Sequence, residues 1–193
     1  FWSIGGMWNI KQEEFMFAMP EVNDMRLKVS YGTTGNSSID NYLALGLISS
    51  GAVYDEINGT VIGNPANPDL TWEVVKSFNL GLSTRLHNRM NFEIEYYNRI
   101  TDNMLMSIPY SATTGYSSGW GNVGKMRNRG VDFQFSYDLF QSDRAVWTVY
   151  GNVSYNKSKI LELYGSTTEY TVGNIGVVHA VDHRFGEFKM VEF

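Results

Sequence analysis

Between Thr71 and Thr101 apolar and polar side chains alternate with a period of two on both sides of a short polar turn. Trp72, Val74, Phe78, Leu80 and Leu82 share one face, interrupted only by Lys76, while Glu73, Val75, Ser77, Asn79, Gly81 and Ser83 take the other. After the turn Arg85–Arg89, Met90, Phe92, Ile94, Tyr96 and Ile100 alternate with Asn91, Glu93, Glu95, Tyr97, Arg99 and Thr101. Successive side chains of a strand point to opposite faces, so each run predicts a strand with one apolar wall and one wet wall. Both runs exceed the roughly five or six residues usual for a globular strand and match the roughly 9–11 that cross a bilayer at a tilt. The hairpin predicts lipid on one side and water on the other.

The same period recurs at Phe1–Ile10, Met25–Thr34, Asn128–Leu139 and Ala145–Asn156. Asp102–Ile108 reads as a continuation of the second hairpin strand, and Thr167–Ala180 predicts one more strand. Within the connector Lys11–Asp24, Glu13-Glu14-Phe15-Met16 predicts a single helical turn before Pro20, and Lys157–Ser166 reads as another connector. The remaining connections alternate in length: long at Gly35–Leu70, short at Arg85–Arg89, long at Pro109–Lys125, short at Phe140–Arg144. Outer-membrane barrels carry long extracellular loops and short periplasmic turns, so the alternation assigns the two sides. Tyr97, Tyr110, Tyr137, Trp147 and Tyr155 fall near predicted strand ends, where an aromatic girdle lies at a membrane interface.

Composition narrows the class. With 43% hydrophobic and only 18% charged residues the chain is not disordered. No run approaches 18 consecutive apolar residues, which excludes a transmembrane helix but not a barrel, whose alternating strands give a weaker hydropathy signal. A net charge of −5 argues against nucleic acid, because phosphate binding needs a basic patch. Absence of cysteine removes any disulfide framework or thiolate metal site. The chain opens at Phe1 without a Met or a signal peptide and is read as an internal or processed piece of something longer.

Four groups of residues invite a chemical reading. Gly119-Trp120-Gly121-Asn122-Val123-Gly124 matches G-x-G-x-x-G, but a Ser/Gly/Thr-rich stretch precedes it and a strand follows, so it reads as a loop and not a nucleotide site. Glu93 and Glu95 lie on one strand face roughly 6.6–7 Å apart. That is near the spacing of a glycosidase pair, yet the two project in parallel and Arg99 offers a countercharge, so they read as hydrated wall. His179 and His183, with Asp182, have a spacing that suits a helix face but lack the further ligand of a zincin. No nucleophile elbow or phosphate loop occurs. The expectation is therefore no enzyme, no cofactor and no metal. Tyr42, Tyr54, Tyr110, Tyr116 and Trp120 fall in the two long loops, where aromatic faces suit sugar rings or a partner surface, and they are the candidate contacts.

A series of blocks resembles the SusC/RagA class of TonB-dependent outer-membrane transporters. The blocks are Leu27-Lys28-Val29-Ser30-Tyr31-Gly32-Thr33-Thr34-Gly35-Asn36 with Ile39 and Tyr42, then Asn67-Pro68-Asp69-Leu70-Thr71-Trp72-Glu73 and Asn79-Leu80-Gly81-Leu82. Tyr96-Tyr97-Asn98-Arg99-Ile100-Thr101-Asp102-Asn103-Met104-Leu105, Thr114-Gly115, Asn122-Val123-Gly124 and Asn128-Arg129-Gly130-Val131-Asp132 continue the series. Asn152 through Ile160 and the opening from Phe1 through Trp8 to Phe15-Met16 are similar too, and the likeness is weakest after Gly165. The resemblance implies a large barrel closed by an N-terminal plug, powered by the TonB complex through a missing N-terminal region. It also implies a SusD-like surface lipoprotein as lid and import of oligosaccharides or peptides.

The resulting expectation is an all-β fold: an antiparallel transmembrane β-barrel of which about eight strands are present. Residues 1–193 would be part of the barrel domain, in the cell outer membrane and in contact with its lipid, with the plug domain and remaining strands absent. Two alternatives stand beside it, a small self-contained outer-membrane barrel and a soluble sugar-binding β-sandwich. An open stretch of barrel is not expected to fold alone, because its edges would be unpaired.

Overall fold

The computed structural model describes residues 1–36, 41–54, 56–116, 118–165, 167–172 and 177–188, with the side chains of 51, 52, 54, 112 and 172 also left aside. Its strands are β1 (Trp2–Asn9), β2 (Val22–Asn36), β3 (Ile48–Tyr54), β4 (Ile57–Ile62), β5 (Glu73–Leu86) and β6 (Met90–Pro109). They continue as β7 (Ser118–Gln141), β8 (Val146–Glu162), β9 (Glu169–Val172), β10 (Val177–Ala180) and β11 (Glu187–Phe188). Six of them form one sheet in the order β1-β2-β5-β6-β7-β8, while β3 pairs with β4 and β9, β10 and β11 make a sheet of three. The wall thus holds six long strands.

Alternation carries through the sheet. β1 runs antiparallel to β2 from Trp2↔Thr33 to Asn9↔Arg26, which sets Trp2 beside Thr33, Ile4 beside Tyr31 and Trp8 beside Leu27. The β5–β6 connection is a tight turn in which Arg89 N–H donates to Leu86 O at 3.0 Å. His87 and Asn88 both have left-handed backbone there, φ 50° and 56°. Two such residues define the hairpin turn whose twist suits antiparallel strands, and Asn tolerates it better than His. The expected helical turn is present as two 3₁₀ turns, Ile10–Gln12 and Glu14–Ala18. Trp8 Nε1–H donates to Glu13 Oε1 at 2.8 Å, and the Lys11 ammonium caps the carbonyls of Met16 and Met19 at 3.3 and 3.0 Å.

Several boundaries differ from the sequence expectation. β7 starts at Ser118, so the stretch Gly119–Gly124 is strand and not loop. Its glycines are there for packing: a Cβ on Gly121 would lie 2.7 Å from Ile108 Cδ1, and one on Gly124 2.6 Å from Met106 Sδ. β8 continues into the expected connector as far as Glu162, and the expected strand Thr167–Ala180 holds two short antiparallel ones, β9 and β10, in which Val178 faces Thr171. Gly35–Leu70, expected to be irregular, holds the β3–β4 hairpin. These longer strands leave Tyr97 and Tyr155 inside β6 and β8, not near their ends, so those two do not sit where a girdle was expected.

The chain divides into two compact units. The first comprises Phe1–Thr34, Lys76–Ile100 and Arg127–Ser158. It is one sheet layer, and among its described residues Met16 is the sole buried hydrophobic side chain. Its apolar wall carries Trp2 against Tyr31 at 5.7 Å and the ring series Phe92, Phe133, Phe135 with neighbouring centroids 6.2 Å apart. The second unit comprises Gly35–Val75, Thr101–Met126 and Lys159–Phe193. It has a packed core of Met104, Met106, Ile160 and Leu163, flanked by Val123, Met126, Tyr170 and Val181.

Two alternatives fall on this geometry. A sandwich needs its apolar faces buried between two sheets, and on the first unit Trp2, Ile4 and Val153 are exposed. A small closed barrel needs its first and last strands paired, and β1 and β8 stand at opposite ends of the sheet order.

Candidate functional site

On the first unit the wet wall is knitted by side-chain couples that cross from strand to strand. Lys28 meets Glu93 at 3.3 Å, and Asn79 Nδ2 donates to Ser30 Oγ at 3.2 Å. Asn91 Nδ2 donates to Ser136 Oγ at 3.1 Å, Thr148 Oγ1 to Asp138 Oδ1 at 2.6 Å, and Ser154 Oγ to Asp132. Cross-strand pairs of this kind are the unit of sheet stabilisation, and their polarity keeps one wall hydrated. Glu93 and Glu95 belong to this wall as expected, but the countercharge on Glu93 comes from Lys28, since the Arg99 guanidinium lies over the Tyr97 ring at 5.0 Å.

In the second unit the base of the long segment before β5 is stapled. Asn122 Oδ1 accepts from Thr71 N–H at 2.8 Å and Asn122 Nδ2 donates to Thr71 O at 2.7 Å and to Asn103 O at 2.9 Å. One side-chain amide thereby stands in for a strand's backbone amide. Asn103, whose carbonyl accepts that last bond, has left-handed backbone, φ 56°. Asn67 Nδ2 donates to Trp120 O at 2.8 Å, and the Glu73 carboxylate accepts from Leu105 N–H at 2.8 Å and from Asn36 Nδ2 at 3.0 Å.

The five loop aromatics are not gathered into one site. Tyr42 stands exposed on left-handed backbone with φ 66°. Tyr54 pairs through its backbone with Ile57, but its side chain lies outside the described residues. Tyr110 covers Gly119, where a Cβ would lie 2.7 Å from the ring and 2.9 Å from Pro65. Tyr116 is half-buried after the 3₁₀ turn Ala112–Thr114, and Trp120 sits in β7, not in a loop.

Trp120 instead lines a hollow of about 420 Å³ with Met104, Met106, Tyr170, His179 and Phe185, a set that periodicity alone did not single out. His179 is buried, its Nδ1 lies 3.0 Å from the Tyr170 hydroxyl, and its ring packs 4.2 Å from that of Phe185. Burial holds the imidazole below its ordinary value, and burial together with Tyr164 pushes the Tyr170 phenol up. His183 turns elsewhere, with Nδ1 3.1 Å from Glu187 Oε2, and Asp182 pairs with Lys159 at 2.8 Å. The two histidines lie on a strand and a turn, not on a helix face. Aromatic residues spaced over 164–185 were the signal available for this cluster.

A six-stranded sheet with one apolar and one hydrated wall is the local structure of a membrane barrel. Comparison with protein families gives a match over residues 1–184 to the model described as TonB dependent receptor-like, beta-barrel. The chain belongs to that family. TonB-dependent receptor P26 of Formosa agariphila is 34% identical over 167 residues, 84% of this chain and 17% of its own length. TonB-dependent receptor SusC of Bacteroides thetaiotaomicron is 28% identical over 82% of this chain and 17% of its own. The solved RagAB peptide transporter matches with a TM-score of 0.84 at 34% identity, covering 94% of this chain and 20% of the transporter chain. The RagAB peptide importer in its open-open state gives 0.80. The chain therefore spans about a fifth or less of the TonB-dependent receptors it matches, and the expected SusC/RagA likeness holds.

Proposed function

We propose that the chain is wall of an outer-membrane importer energised through TonB, taking up oligosaccharides or peptides with a SusD-like surface lipoprotein. All of residues 1–193 belong in this reading to the barrel domain of a longer protein whose plug and further strands lie outside them. The observation that carries it is the two-walled sheet, whose large apolar side chains are exposed on one face while the other is hydrated by cross-strand couples. In water that exposure costs free energy, and against hydrocarbon it does not. Likeness to the RagAB peptide transporter supports import and a peptide cargo, and likeness to SusC supports the same family of machines. Tyr42, Tyr54, Tyr110, Tyr116 and Trp120 are the proposed loop contacts, with Tyr42 the most open of those described. No step of catalysis is assigned to any residue.

The test uses the full-length parent carrying a protease-sensitive tag after Glu56, in the β3–β4 turn. The expected result is sedimentation with the outer membrane, cleavage of the tag by external protease, and TonB-dependent uptake of an oligosaccharide or peptide. Solubility without detergent would overturn the reading. Co-purification of a surface lipoprotein tests the partner.

A further inference from the structure

On the apolar wall of the first unit, charge begins at one level. From Leu139 back to Val131 the outward positions of β7 are all uncharged, and so are those of β8 from Trp147 to Tyr155. The next outward positions are Arg129 and then Arg127 on β7, and Lys157 on β8. The couples Asp132–Ser154 and Asp138–Thr148 set the register of the two strands and bring Arg129 directly opposite Lys157. Both are exposed, and like charges directly opposite across a strand pair repel. Among the described residues, no carboxylate pairs with Arg127, Arg129 or Lys157. Arg127 Nε is buried and has no hydrogen-bond partner. Other lysines of the chain do find acids: Lys28 meets Glu93 at 3.3 Å on the wet wall, and in the second unit Lys159 meets Asp182 at 2.8 Å.

We infer that Arg129, Lys157 and Arg127 bind the phosphate groups of a phosphorylated glycolipid in the outer leaflet of the membrane. This rests on the outer-membrane reading above, but it concerns the surrounding lipid and not the cargo. A phosphate held between Arg129 and Lys157 turns a repulsion into two charge-assisted contacts, and the fork of an arginine suits phosphate oxygens. The level fits. Ten residues separate Leu139 from Arg129, which at about 3.4 Å per residue and a tilt of about 40° is about 26 Å of height. The apolar band of a barrel is about 25 Å tall, so these cations stand where headgroups begin. One step nearer the band on β8 is Tyr155, whose ring and hydroxyl suit that boundary. The side fits as well. The cations lie toward the Ser118 end of β7, away from the short Gln141–Val146 turn that loop length assigns to the periplasm.

The experiment titrates the full-length parent, in detergent micelles, with fluorescent lipid A in its bisphosphorylated and its phosphate-free form. Arg129→Gln combined with Lys157→Gln is expected to weaken binding of the bisphosphorylated lipid about thirtyfold, the loss of two cations at a charged lipid surface, and to flatten its salt dependence. Arg129→Lys with Lys157→Arg keeps both charges and most of the affinity. Arg99→Gln, on the wet wall, leaves binding unchanged, and inorganic phosphate at the lipid's concentration does not compete. Equal heat-shifted gel mobility shows that each variant is folded. The site is overturned if the parent binds no lipid A, if the double glutamine variant binds as the parent does, or if the phosphate-free lipid binds as tightly. An equal loss in Arg99→Gln overturns it too, and competition by inorganic phosphate overturns the lipid as its ligand. All of these leave the import reading standing, since that reading falls when the parent takes up no cargo. A parent that is soluble without detergent overturns both.

Discussion

Val153 and Ile160 lie on the same strand, β8, yet Val153 is 67% exposed and Ile160 is fully buried. Val153 belongs to the first unit, where a single sheet presents Trp2, Ile4, Tyr155 and others outward. Ile160 belongs to the second, where Met104, Met106 and Leu163 close around it and its backbone bonds to Asp182 and His183. One chain thus uses two solvents. In the second unit apolar residues hide from water behind protein, and in the first they need a layer that protein does not supply. Surface exposure therefore has opposite meanings in the two units.

The largest effect expected falls on the second unit. Ile160→Ala removes a fully buried side chain from a small core and should cost about 4 kcal/mol, read as a lowered urea midpoint of the full-length protein in detergent. A negligible change would mean that this core is not a unit of stability. Next comes Val153→Arg on the apolar wall, expected to cost about 2–4 kcal/mol in a bilayer despite the residue's exposure. The paired variant Ser154→Arg, on the wet wall, is expected to cost less in the same refolding assay. Equal costs would erase the distinction between the walls.

A smaller loss is expected at Gly130 on β7. An added Cβ would meet the Tyr155 carbonyl oxygen and lie 2.5 Å from the Tyr97 hydroxyl, so Gly130→Ala should cost about 2 kcal/mol. Tyr97→Ala in the same chain should recover part of that loss, because it removes the ring whose Cζ and hydroxyl would lie 2.6 and 2.5 Å from the added Cβ. The smallest effect is acid sensitivity of the second unit. Burial lowers the pKa of His179 in the folded chain, so the unfolded chain takes up its proton first as pH falls. The contribution of neutral His179 is complete above its ordinary value of 6.5 and is lost as pH falls below it. Faster amide exchange in β9 and β10 on acidification, abolished by His179→Phe, is the expected readout.

Much of the first unit was legible in the sequence, and the reason is physical. A strand between lipid and water must alternate, and β5 from Ser77, the first half of β6 and the second half of β7 do so. The second unit obeys no such constraint. Gly119, Gly121 and Gly124 read as a loop because glycine normally breaks strands, whereas here each lies under a side chain from Tyr110, Ile108 or Met106. The hairpin β3–β4 was hidden in a Gly- and Asn-rich stretch, and β8 beyond Asn156 carries Lys157, Ser158 and Lys159 in place of alternation. Of the candidate contacts, Trp120 was expected in a loop and lies in β7.

The Asn122 staple has a consequence for how such proteins diversify. A strand whose approach is held at Thr71, two residues before its start, by a neighbour's side chain has its starting point set apart from the chain further upstream. The segment between Asn36 and Asn67 can then differ in length without moving the start of β5. One amide marks the frontier between the segment that can change and the strand that must stay put.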